Sequence, residues 1–134
     1  MELVLLIVLL ALAQFIYLSM RTGFARVKYK VHAPAVTGHP LFERQYRVQQ
    51  NTLEQLVVFV PVILIFANLA EAVSWPGNEI AAFLGVIWII GRGVYAAAYV
   101  KDPASRGPGF LMTFAPSALM LLGSLVALVV AVAG

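Results

Sequence analysis

The sequence predicts an all-α integral membrane protein, a bundle of four spanning helices. Three observations predict it: a composition too apolar for water, four apolar runs long enough to cross a bilayer, and connections marked by Pro and Gly. Hydrophobic residues make up 62% of the 134 residues and charged residues only 11%, against about 25% charged in an ordinary soluble domain. A soluble domain of this length leaves much of its surface wet, so lipid is the natural solvent for such an excess. The length suits a single membrane domain over 1–134. The chain has no cysteine, which removes disulfides and Cys-based metal sites. Any thiol chemistry must then use a thiol carried by a ligand.

A helix needs roughly 20 mostly apolar residues to cross the hydrocarbon core. The first such run covers about 3–20 and holds no charge. It starts Met1-Glu2 with no basic residue, and it is long for the apolar core of a signal peptide, so a retained helix is predicted. The second covers about 53–70, interrupted by Glu54 and Pro61; the proline reads as a tolerated kink. The third covers about 80–99, with Arg92 near its end, and the fourth about 110–133, again uncharged. Between them the sequence predicts a basic loop over 21–40, a turn over 71–79 around Trp75-Pro76-Gly77, and a loop over 101–109 containing Pro103, Gly107 and Pro108.

Charge placement orients the bundle. All 9 Lys and Arg residues fall on the side of the 21–40 and 101–109 loops. The other side carries only Glu2, Glu71 and Glu79. Positive residues stay cytoplasmic, so both termini should face away from the cytosol. In a bacterium the membrane would be the inner one. Arg21, Lys28 and Lys30 read as a solvated basic loop, and His32 and His39 as ordinary loop residues, not metal ligands. Nothing in the pattern points to nucleic acid.

Two polar strips lie at the cytoplasmic boundary. The stretch from Phe42 to Glu54 has no Gly or Pro and runs into the second span, so it extends that helix. Arg47, Asn51 and Glu54 follow i, i+4, i+7 spacing and share a face. Arg92, Tyr95 and Tyr99 form a second strip, and Arg106 follows in the next loop. Cations at helix ends often only snorkel and tyrosines often only anchor the interface. Asn51 and Glu54 cannot snorkel far. Ionisable groups at this depth normally face a bundle interior or a wet cavity.

Phe42-Glu43-Arg44, Arg47, Gln49, Asn51 and Glu54, together with Gly91-Arg92-Gly93-Val94-Tyr95 through Tyr99, Pro103 and Arg106, resemble the MAPEG family, the membrane-associated proteins of eicosanoid and glutathione metabolism. The resemblance covers essentially the whole chain and leans toward bacterial-type microsomal glutathione transferases. It implies a homotrimer in the lipid bilayer, with glutathione bound between subunits near the cytoplasmic face. It makes Arg26, Arg47, Gln49, Asn51, Glu54, Tyr95 and Tyr99 the expected glutathione ligands. It makes Arg106 the expected catalytic residue, a cation that activates the thiol. It implies transfer of glutathione to lipophilic electrophiles, or reduction of hydroperoxides with it, by a second substrate arriving from the lipid. Two other readings compete. One is a non-catalytic, lipid-presenting member of the same family, which the Arg106 and glutathione strips argue against. The other is a proton-coupled exporter, which needs a carboxylate deep in the bundle; helices 1, 3 and 4 have none there.

Overall fold

A computed structural model describes residues 1–133. Four helices, α1 (Glu2–Tyr29), α2 (Pro40–Ala72), α3 (Gly77–Lys101) and α4 (Gly107–Ala133), follow one another with short connections, and a single 3-10 turn over Pro103–Arg106 precedes α4. All four are long and apolar enough to cross a membrane. The chain is an integral, multi-pass membrane protein.

The helices overrun the apolar runs, because charge ends hydropathy without ending a helix. α1 passes Met20 and continues to Tyr29, so the predicted 21–40 loop is helical over 21–29 and begins only after Tyr29. Nothing in 21–29 removes a backbone donor, and Arg26 and Lys28 in the last turn complement the dipole. The helix stops where Lys30 turns left-handed, with φ 56° and its N–H on the Arg26 carbonyl. Pro40 then sits in the first turn of α2, where its missing N–H costs nothing. His39 is the N-cap. Its Nδ1 accepts the Leu41 N–H at 3.2 Å, and its ring stacks on Tyr29 at 4.1 Å. α2 has 33 residues, about 50 Å at 1.5 Å per residue. That exceeds a hydrocarbon core of about 30 Å, so several turns stand clear of it. The helix runs unbroken through Pro61.

At the opposite end, residues 73–76 join α2 to α3. The Glu71 carboxylate accepts both the backbone N–H of Asn78 at 3.1 Å and its Nδ2 at 2.9 Å. Near the other end of α3, Asp102 caps the 3-10 turn by accepting the Ala104 N–H at 3.0 Å. Arg44 donates to the carbonyls of Val100 and Lys101, both at 3.1 Å. The start of α2 is thereby tied to the end of α3, which fixes the level of the two polar strips.

The core runs down the middle of the bundle, where Phe59 of α2 stacks on Trp88 of α3 with ring centroids 4.2 Å apart. Outward-facing Leu9, Phe24, Phe83 and Val129 are all exposed, as expected of surface meant for lipid. Without a hydrophobic driving force between helices in lipid, small residues that allow close approach hold such bundles together. α3 and α4 meet in this way. A Cβ on Gly109 would lie 2.8 Å from the Cβ of Tyr95 and closer still to its backbone. Gly109→Ala is therefore expected to destabilise by about 2–3 kcal/mol, seen as earlier thermal unfolding in detergent. Gly23→Ala, with nothing within 4 Å of the new Cβ, should be neutral or stabilising by up to about 1 kcal/mol.

Candidate functional site

Helical spacing brings Asn51, Glu54 and Gln55 onto adjoining positions of α2, and Arg92 and Tyr95 onto one face of α3. The Arg44 tie and the Gly109 approach set these faces at one level. Between them lies a cavity of about 250 Å³, lined by Asn51, Glu54, Gln55, Arg92, Tyr95 and Arg106, and closed at the start of α4 by Gly107 and Phe110.

Tyr95 organises the wall. It is 2% exposed, its hydroxyl takes a hydrogen bond from Asn51 Nδ2, and Tyr99 stacks on it at 5.6 Å. On its other side the Arg92 guanidinium carbon lies 3.9 Å from the ring centroid, a cation–π contact that offsets only part of the cost of burial. Arg92 is 1% exposed, and neither Nε nor Nη2 has a hydrogen-bond partner among the described residues. A buried cation with idle donors is costly unless something anionic meets it. Arg106, by contrast, is exposed at the cavity mouth, and Glu54, the one carboxylate of the lining, is exposed too. The cavity thus offers two guanidiniums, one carboxylate, an amide on each side of Glu54's turn, and one apolar wall at Phe110. Such a set suits a ligand bearing both anionic groups and an ammonium.

Of the residues singled out by sequence, Asn51, Glu54, Tyr95 and Arg106 line this cavity. Tyr99 backs it through its stack on Tyr95. Arg47 is exposed one turn before Asn51, and Gln49 is half-buried; neither lines the cavity. Arg26 is turned elsewhere. It lies 4.7 Å over the Phe42 ring, and its Nη1 donates to the Ala35 carbonyl at 2.6 Å and the Val31 carbonyl at 3.4 Å. It braces the α1–α2 connection. Sequence reasoning put Arg92 on the polar strip but not among the ligands. The signal was its depth, since a cation that far inside an apolar run needs a function or a partner. Gln55 and Phe110 carried no such signal.

The sequence pattern of the MAPEG family matches residues 4–126. The chain is 40% identical over 119 residues to human microsomal glutathione S-transferase 2, spanning 87% of this chain and 76% of that protein. It is 39% identical over 123 residues to the uncharacterized protein sll1147 of Synechocystis sp., spanning 92% and 85%. Leukotriene C4 synthase of Bos taurus is 29% identical over 90 residues, 67% and 56% of the two chains. The family pattern runs through all four helices and includes every residue that lines the cavity: the chain belongs to the MAPEG family.

Proposed function

We propose that the protein is a membrane-bound glutathione transferase that joins glutathione to lipophilic electrophiles, or reduces lipophilic hydroperoxides with it. The observation that carries this reading is the buried Arg92, whose Nε and Nη2 have no hydrogen-bond partner among the described residues, in the wall of a cavity also lined by Glu54 and Arg106. Glutathione has two carboxylates, an ammonium and a thiol. A guanidinium fork matches a carboxylate in plane, Glu54 suits the ammonium, and Arg106 suits the thiolate. The microsomal glutathione S-transferases among its relatives support the same substrate.

In this reading the thiol loses its proton to water as glutathione settles beside Arg106, whose positive charge favours the thiolate. The thiolate sulfur then attacks the electrophilic carbon, forming a thioether and expelling a leaving group or generating a carbanion that water protonates. With a hydroperoxide it attacks the distal oxygen. The O–O bond breaks, the alkoxide leaves and takes a proton from water to become the alcohol, and the sulfenic acid left on the sulfur condenses with a second glutathione to give the disulfide and water. The lipophilic partner enters from the bilayer past Phe110.

The assembly is a homotrimer in which Arg26 serves the site of a neighbouring subunit, consistent with its absence from the cavity of its own. The cavity faces the cytosol, with both termini on the other side, a reading supported by the one-sided placement of Lys and Arg. Detergent-purified protein tests the reading by equilibrium binding of glutathione and ultraviolet thiolate absorbance at neutral pH. Saturable binding with thiolate formation is expected. Absence of binding at millimolar glutathione would remove the catalytic reading in favour of a lipid-presenting one.

A further inference from the structure

On the other side of α3 the structure holds a second polar groove, separate from the cavity lined by Arg92 and Glu54. One cavity of about 380 Å³ lies between α1 and α3, with Gln14, Tyr17 and Arg21 on one wall and Gly93 and Ala97 on the other. A second, of about 300 Å³, continues it toward the end of α1, past Lys28. The two share Arg21, Gln45 and Val100 in their linings and so adjoin, as a groove-like channel along α1. Arg21 and Lys28 stand two turns apart on one face of α1. No Asp or Glu lines either part among the described residues.

The channel is graded along the membrane normal. Its outer end is basic. Arg21 is held in place by Nη1 donating to the Tyr17 hydroxyl at 3.0 Å, which leaves its other nitrogens for a ligand. Lys28 Nζ lies 5.4 Å from the Tyr29 ring centroid. Its inner end passes over Gly93 and Ala97, where small side chains leave a trough along α3 open to the bilayer. Basic pockets between spanning helices at the cytoplasmic boundary bind anionic lipid headgroups. A phosphate at the basic end and an acyl chain in the small-residue trough match both halves of this channel.

We propose that the α1–α3 channel is a binding site for an anionic phospholipid, its phosphate held by Arg21 and Lys28 and one acyl chain lying over Gly93 and Ala97. Sequence alone gives these cations only a diffuse role at a basic surface. The structure differs because the helix continues past them and seats them beside a trough. The site stands independently of the glutathione reading.

Spin-labelled phosphatidylglycerol and phosphatidylcholine, in phosphatidylcholine vesicles containing the full-length protein, test it. The wild type is expected to select the labelled phosphatidylglycerol several-fold over phosphatidylcholine. Arg21→Gln combined with Lys28→Gln should abolish that selection. Gly93→Leu leaves every charge in place but fills the trough, and should abolish it too. The position accepts a side chain, since a Cβ there meets only Gln14 Nε2 at 3.8 Å, and leucine favours the helix over glycine. If Gly93→Leu does not fold, Ala97→Leu fills the same trough. Equal association of both lipids with wild type overturns the proposal. So does full selection in the trough-filled variant, which would mean diffuse attraction to a basic surface. Loss of selection on adding inorganic phosphate at constant ionic strength would instead assign the basic end to a free anion, and would also overturn it.

Discussion

Arg106→Ala is expected to bind glutathione and to show almost no thiolate at neutral pH. A free cysteine thiol has a pKa of about 8.5, so only a few per cent is ionised near pH 7. A neighbouring cation lowers an acid's pKa by about 1–3 units, each unit being worth about 1.4 kcal/mol. A shift of two units makes thiolate the major form, and losing it should lower turnover on the order of 10- to 100-fold. In the proposed binding mode affinity should change much less, because the carboxylates and the ammonium would be met by Arg92, Glu54 and Asn51, which line the cavity with Arg106. Arg106→Lys keeps the charge but not the fork, so it should retain part of the thiolate signal. Stopped-flow absorbance on mixing with glutathione separates the outcomes. Thiolate of normal amplitude in Arg106→Ala would mean that another group activates the sulfur, and Arg92 would be the first to examine.

The fold was legible because bilayer thickness and hydropathy leave little choice. Four runs of the right length admit only helices, since no backbone group may go unpaired in lipid. The helix ends were less legible for an equally physical reason. Arg21 ends an apolar run, but the i→i−4 ladder is indifferent to charge, and α1 continues to Tyr29. His39 gave no hint of its capping role, because a histidine N-cap depends on a backbone conformation that the sequence does not announce. Within the site, 3.6-residue spacing placed Asn51 with Glu54 and Arg92 with Tyr95, but spacing on one helix cannot say which face meets which. That depends on the Arg44 tie and on the contact of Gly109 with Tyr95. Spacing also cannot say how far along a face a cavity reaches: Arg47 shares the face of Asn51 and Glu54 but lies a turn before them, and neither it nor Gln49 lines the cavity.

Arg92→Met is expected to leave the fold intact, or to stabilise it, while lowering glutathione affinity roughly 10- to 100-fold. The two effects have opposite causes. An unpaired buried guanidinium imposes a desolvation penalty of several kcal/mol, and methionine of similar length fills the same space without it. What methionine cannot do is meet a carboxylate, and hydrogen bonds to a charged group contribute about 1.5–3 kcal/mol. If Arg92 were only a structural prop for Tyr95, through the 3.9 Å contact with its ring, the pattern would reverse. The unfolding temperature would then fall, and affinity would fall only as far as Tyr95 moved. Thermal unfolding with and without glutathione distinguishes these cases in one experiment. A ligand that binds only the folded state raises stability in proportion to the logarithm of its concentration over its Kd. Wild type should therefore start lower and rise steeply with glutathione, whereas Arg92→Met should start as high or higher and rise little at the same concentrations. Arg92→Lys should lie between them, keeping the charge to attract a carboxylate but not the two parallel donors that orient it. A destabilised Arg92→Met that still gains the full glutathione shift would sink the assignment of Arg92 to ligand binding and leave Arg106 as the cation of the site.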